Sequence, residues 1–189
     1  MRIVSGLFKG RQLLAPEGSI TRPTSDRARE SIFNVLAHAD WSRPIEGTRV
    51  IDAFAGSGAL GIEALSRGAE FCLFIETESR ARGCIRDNIE KFNLFGNTRI
   101  HRRSAVDLGA KPASVGERFD IVFMDPPYGY NLVPSALKTL AAGGWVKPGA
   151  LAVAETGPDD PEVQAPGWET LDRRTYGPAD VTFLAYRPG

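Results

Sequence analysis

The sequence predicts an α/β fold: a doubly wound, mostly parallel, seven-stranded sheet with an N-terminal β-hairpin arm and a C-terminal antiparallel hairpin. Three observations predict it. From residue 48 onward, short apolar runs alternate with stretches of helical periodicity, the pattern of a parallel sheet covered on both faces. A glycine-rich turn, Gly56-Ser-Gly-Ala-Leu-Gly61, lies between a predicted strand and a predicted helix. Asp52, Glu76, Ser104 and Asp125 all fall at the carboxyl ends of predicted strands, where ligands bind in folds of this kind.

Residues 1–24 read as the arm and residues 25–189 as the main domain. Arg2-Ile-Val-Ser and Arg11-Gln-Leu-Leu suggest two short strands, with Gly6 and Gly10 bracketing the turn. Pro16, Gly18 and Pro23 keep the following stretch irregular. A helix starts at Ser25 or Asp26, either of which can cap it, and Ala28, Ile32, Val35, Leu36 and Ala39 recur at helical spacing. His38 falls among these core positions. Pro44 and Gly47 close the unit. Strands then follow at 49–54, 71–75, 98–102, 119–124 and 151–155. Helices are expected at 59–67, 79–92 and 133–142. Residues 169–176 and 181–187 form a hairpin around Gly177-Pro178.

Composition narrows the function classes. A hydrophobic content of 42% suits a packed soluble fold, and no run approaches the ~18 apolar residues of a membrane helix. The opening residues lack the apolar core of a secretory signal, so a cytoplasmic location is expected. Cys72 and Cys84 read as core thiols, and no Cys/His cluster has metal-ligand spacing, so no metal is expected. Net charge is zero, but unevenly spread. Arg2, Lys9, Arg11, Arg22, Arg27 and Arg29 crowd the first 29 residues, and a second basic stretch spans 80–103. Residues 155–172 are acidic. The asymmetry fits a basic face for phosphates and a remote acidic face.

The glycine turn is a G-x-G-x-x-G, and Glu76 lies where an acid can hold a ribose hydroxyl pair. A dinucleotide would place its pyrophosphate on this loop. Asp52, four residues before the first glycine, would repel a pyrophosphate. It suits instead the sulfonium and ammonium groups of S-adenosylmethionine.

Asp125-Pro-Pro-Tyr128 follows an apolar strand. Two prolines fix φ and remove two backbone donors, leaving a stiff turn rich in acceptors: the Asp125 carboxylate and the carbonyls of Asp125, Pro126 and Pro127. An exocyclic amine of a base is a poor nucleophile that presents two N–H donors. Acceptors around it can hold the nitrogen toward tetrahedral geometry and stabilise the positive charge that develops on methylation. Tyr128 offers a flat face for a base taken out of its stack. This chemistry does not separate guanine N2 from adenine N6.

Asp52-x-Phe-x-Gly-x-Gly with Asp125-Pro-Pro-Tyr resembles the class I, Rossmann-like amino-methyltransferases acting on adenine or guanine. The segment Thr21-Arg-Pro-Thr-Ser-Asp-Arg-Ala-Arg-Glu-Ser-Ile-Phe-Asn34, with Arg2-Ile-Val-Ser-Gly and Lys9-Gly-Arg11, narrows the resemblance to the bacterial 16S ribosomal RNA guanine-N2 methyltransferase family, RsmD type. It covers essentially the whole chain. The resemblance implies methylation of one guanine N2 in small-subunit RNA, within an assembling subunit; a monomer is expected, although the sequence leaves the oligomeric state open. It assigns Asp52, Phe54, Gly56, Gly58, Gly61, Glu76, Ser104, Ala105 and Thr24 to the cofactor, and Asp125, Pro126, Pro127 and Tyr128 to the target amine. The arm and the Arg22–Arg29 stretch are then expected to hold RNA and close over the cofactor. Where the family usually carries Asp or Asn before Ala, this chain has Ser104-Ala105, so the adenine contact would come from a hydroxyl or the backbone. Two alternatives stay open: an adenine-N6 methyltransferase on DNA or RNA, and a non-catalytic RNA-binding assembly factor.

Overall fold

The computed structural model describes residues 1–18 and 25–189. Helix α1 (Asp26–His38) begins where the Ser25 side chain accepts from the amide of Ala28 at 3.1 Å. Strand β1 (Arg49–Ala53) leads into α2 (Ala59–Ser66), β2 (Phe71–Ile75) into α3 (Ser79–Lys91), and β3 (Thr98–His101) follows. Then come β4 (Phe119–Met124), α4 (Leu132–Ala142), β5 (Val146–Thr156) and the hairpin β6 (Trp168–Tyr176) and β7 (Ala179–Tyr186).

The seven strands form one sheet in the order β3-β2-β1-β4-β5-β7-β6. Pairing is parallel from β3 to β5 and antiparallel across β5, β7 and β6. The order reverses between β1 and β4, so the crevice at their carboxyl ends is the switch point of the sheet. Strand alternation divides the core. Val50, Phe74, Phe123 and Val153 pack with α1, α2 and α3 on one face. Ile51, Leu73, Val122 and Ala152 pack with α4 on the other. Burial on both faces explains why the central strands are continuous apolar runs.

The structure departs from the sequence reading in three places. The arm pairs as an antiparallel hairpin but more briefly than two full strands would, with one bridge, Arg2 to Gln12, and the amides of Ile3, Gly10 and Leu13 bonded across it. Other amides of the arm are used on the body: Val4 and Ser5 donate to Glu63, and Leu14 donates to Asn88. Ile3 and Leu13 are buried in the core beside α1 and α2. His38 is exposed, its Nδ1 against the Asn34 carbonyl, since it falls on the outer face of α1. Strand β5 starts at Val146, earlier than expected, because Lys147-Pro-Gly149 is absorbed at a register shift opposite Phe119 and Ile121.

Candidate active site

The loop between β1 and α2 is shaped by its glycines, each in a different way. Gly56 has φ +58°, and a β-carbon there would meet nothing within 4 Å, so it leaves the crevice open. At Gly58, with φ +80°, a β-carbon would sit 3.0 Å from the Phe74 ring. At Gly61 it would come within 2.5 Å of the Cys72 sulfur and the Phe74 ring, so α2 can lie this close to β2 only without a side chain. Phe54 also holds a positive φ of 58°, a costly conformation for a bulky residue that places it on the crevice wall.

The crevice is a cavity of about 600 Å³ at the carboxyl ends of β1, β2, β3 and β4. That is the size of a small-molecule site. Of the sequence-predicted residues, Asp52, Phe54, Gly56, Glu76, Ser104, Ala105, Asp125 and Pro127 line it. Gly58 and Gly61 support the wall from behind. Thr24 and Arg22 lie outside the described residues. The Ser104 hydroxyl accepts from the Val106 amide at 3.4 Å, within its own turn, and residues 104–106 lie on the cavity wall.

Three carboxylates converge here. Asp52 is buried and accepts from the Gly61 amide at 2.9 Å. Burial pushes its carboxyl well above the usual carboxylate range; the Gly61 amide pulls it back, and the nearby Asp125 and Glu76 push it up further. Glu76 accepts from the amides of Gly56 at 2.8 Å and Glu78 at 2.9 Å, which fixes the first glycine against the end of β2. A site where three carboxyl groups converge between largely apolar walls suits a ligand that brings positive charge, which would favour their ionised forms, and a flat apolar body. S-adenosylmethionine has both, so the residues fit it. Among the described residues no group of three His, Cys, Asp or Glu could hold a metal.

Asp125 leaves β4 one step past Met124, which pairs with Ala154 on one side and with Ala53 on the other, and its charge reaches Asp52 on β1. Pro126 is buried and Pro127 exposed at the cavity rim. Tyr128 lies just outside. Its ring packs on the backbone of Gly157, where an added β-carbon would be 2.9 Å from the ring. Its hydroxyl donates to Glu155 Oε1 at 2.5 Å. Asp160 accepts from the amides of Gly129 at 2.8 Å and Gly157 at 2.7 Å, joining the two loops. The acidic 155–172 stretch is therefore not wholly a remote face. Glu155 is buried, and with Asp160 it supports the tetrapeptide.

The predicted RNA-binding cations divide. Lys9 and Arg27 are exposed. Arg2 and Arg11 are exposed but engaged: Arg2 donates to the Gly10 carbonyl, and Arg11 donates to the Lys91 carbonyl with its guanidinium 4.5 Å from the Phe92 ring centroid. Arg29 is fully buried and is corrected from an RNA contact to an internal one. It bonds Glu63, Asp26 and the Arg2 carbonyl. Glu63 also accepts from Arg67, so the buried charges are mutually satisfied.

Several wall residues carry no sequence signal. Ala15 to Gly18 of the arm line the cavity, as do Arg103 and Leu132. Asn88, fully buried on α3, donates to the carbonyls of Leu14 and Ser57 and so ties the arm to the glycine loop. A polar Asn on the inner face of an amphipathic helix is the one hint that the sequence offers.

Comparisons with known proteins agree with this geometry. A family model described as Conserved hypothetical protein 95 matches residues 1–185. Ribosomal RNA small subunit methyltransferase D of Haemophilus influenzae is 35% identical over 179 residues, covering 94% of this chain and 89% of that protein. The Escherichia coli protein of the same name is 36% identical over 156 residues, covering 82% and 74%. Among solved structures, the "Putative methyltransferase yhhF from Escherichia coli" superposes with a TM-score of 0.81 at 30% identity, covering 99% of this chain and 98% of that one.

Proposed function

The chain belongs to the Conserved hypothetical protein 95 family, and on that footing we propose that it transfers a methyl group from S-adenosylmethionine to the exocyclic N2 of a guanine in 16S ribosomal RNA. The observation that supports the proposal is the meeting of Asp125 and Pro127, from the tetrapeptide, with the Asp52–Gly56–Glu76 wall at one crevice. The small-subunit methyltransferases D to which the chain is similar supply the substrate class. The substrate form is RNA within an assembling small subunit, the enzyme is a monomer, and its place is the cytoplasm. No helix among the described residues is long and apolar enough to cross a membrane. Residues 1–24 serve as an arm that closes over the site, and 25–189 as the transferase body.

In this reading Asp52 faces the cationic methionine end, Glu76 the ribose, and the 104–106 backbone the adenine. When bound, S-adenosylmethionine supplies an electrophilic methyl group. The protein's own work is to hold the nucleophile. The Asp125 carboxylate and the neighbouring carbonyls accept the two amine hydrogens. This turns the nitrogen lone pair out of conjugation and toward the donor. The nitrogen gains positive charge as the new bond forms, and Asp125 stabilises that charge and can take the proton that leaves. Tyr128 stacks on the base. These roles need the base out of its helix, so the substrate is a flexible or partly assembled RNA segment.

The test is tritium transfer from labelled S-adenosylmethionine to small subunits lacking native methylation, to their extracted RNA and to duplex DNA. Label on the subunit or its RNA supports the reading. Label on DNA alone overturns the substrate. No label in any lane, with no cofactor binding by calorimetry, points to an assembly factor.

A further inference from the structure

The tetrapeptide needs something to aim it, and the geometry points to Glu155. We propose that Glu155 is a positioning residue that fixes the ring plane of Tyr128, and through it the target base. This rests on the methyl-transfer reading above. Glu155 ends the buried part of β5, one step past the Met124–Ala154 pair that sets Asp125 beside it. It is only 7% exposed. A carboxylate so placed is costly unless bonded, and the Tyr128 hydroxyl bonds it at 2.5 Å. Gly157 closes the other side. Its missing side chain lets the ring lie on the backbone, so the ring is held at its face and at its tip. Asp160 then bonds the amides of Gly129 and Gly157, locking the loop that carries the ring to the loop that supports it.

A stacking face has to be fixed in tilt as well as in place. The amine must point at the donor, and a displacement of about 1 Å can cost on the order of a hundredfold in rate. A ring held only by its stem would swing about χ1 and χ2. The hydroxyl of Tyr128 thus has a function that a flat face alone does not require, and phenylalanine is not equivalent here.

The test uses the full chain. Tyr128→Phe and Glu155→Ala should each lower kcat by roughly tenfold to a hundredfold, the loss of one hydrogen bond to a charged partner. Cofactor affinity by calorimetry should stay within about twofold of wild type, since the bond lies outside the cofactor wall. The double variant should be no worse than either single one, because both remove the same bond. Glu155→Gln, which keeps an acceptor oxygen, should recover most of the rate. Additive losses, wild-type kcat in Glu155→Ala, or loss of cofactor binding would each overturn the role. A second readout needs no activity. In protein labelled with 3-fluorotyrosine, the Tyr128 resonance, assigned by its absence in Tyr128→Phe, should shift in Glu155→Gln. An unmoved resonance refutes the bond even where Glu155→Ala does not fold. If wild type methylates no RNA, the functional reading fails, while the resonance still decides the Glu155–Tyr128 contact.

Discussion

Asp52 shows how one carboxyl can set both stability and ligand choice. Burial holds its folded pKa above the value of about 3.9 expected in an unfolded chain. The folded state therefore keeps a proton there that the unfolded state has lost. Its contribution to stability is full below the unfolded pKa and is lost as pH rises through the folded pKa. Asp52→Asn should raise the melting temperature of the ligand-free protein, more in alkaline than in acid buffer, while cofactor affinity collapses. An unchanged melting temperature at every pH would contradict this. A cationic ligand reverses the preference, so in wild type the affinity for S-adenosylmethionine should rise with pH over the same range, with proton release measurable by calorimetry in two buffers. Asp125, whose charge reaches Asp52, is the residue proposed to hold the target amine. Asp125→Ala should lose most of kcat and keep cofactor binding; wild-type turnover would remove it from the chemistry. Asp52 and Asp125 are legible from strand-end position alone. Glu155 is not: it lies 27 residues from Tyr128, and only the pairing of β4 with β5 brings them together.

At the scale of elements, the junction of arm, α1 and α2 is the least expected feature. In the sequence Arg29 is one more cation in a basic run. In the fold it is a buried knot with Glu63, which also takes the amides of Val4 and Ser5. Removing one side of such a pair leaves a buried charge, a loss of about 3–5 kcal/mol. Arg29→Ala should therefore lower stability by an amount of that order in denaturant unfolding, without changing the salt slope of RNA binding at a temperature where the variant is folded. A reduced slope with normal stability would restore Arg29 to the RNA face. The strands at the sheet centre are readable because burial on both faces demands unbroken apolar runs. Helix α1 is readable because Ser25 can cap it. The start of β5 is not, since Pro148 and Gly149 look like a loop and are tolerated only because the ladder shifts register there. The arm reads as a hairpin and pairs as one around Arg2 and Gln12, but its bonds to Glu63 and Asn88 cannot be read, because both are distant in sequence.

For the whole molecule, zero net charge says little, and its distribution says more. The exposed cations Lys9 and Arg27 lie on the arm and on α1, and the arm runs from the C-terminal ends of α2 and α3, where Leu7 and Phe8 bond Ser66, to the cavity wall at residues 15–18. If these cations meet RNA phosphates, Lys9→Ala with Arg27→Ala should weaken RNA binding at low salt. The slope of log affinity against log salt should fall by about 0.7 for each single-strand phosphate that is no longer neutralised. A slope equal to wild type would place the RNA elsewhere. The fold and the cofactor crevice can be read from strand–helix alternation and from glycine spacing. The choice between guanine and adenine cannot, because both present a conjugated exocyclic amine to the same acceptors. Nucleoside analysis decides between the two bases: small subunits lacking native methylation are incubated with the protein and S-adenosylmethionine, digested and separated by mass. N2-methylguanosine is expected at one site, absent with Asp125→Ala. N6-methyladenosine in its place, or the same product with the Asp125 variant, would contradict that expectation.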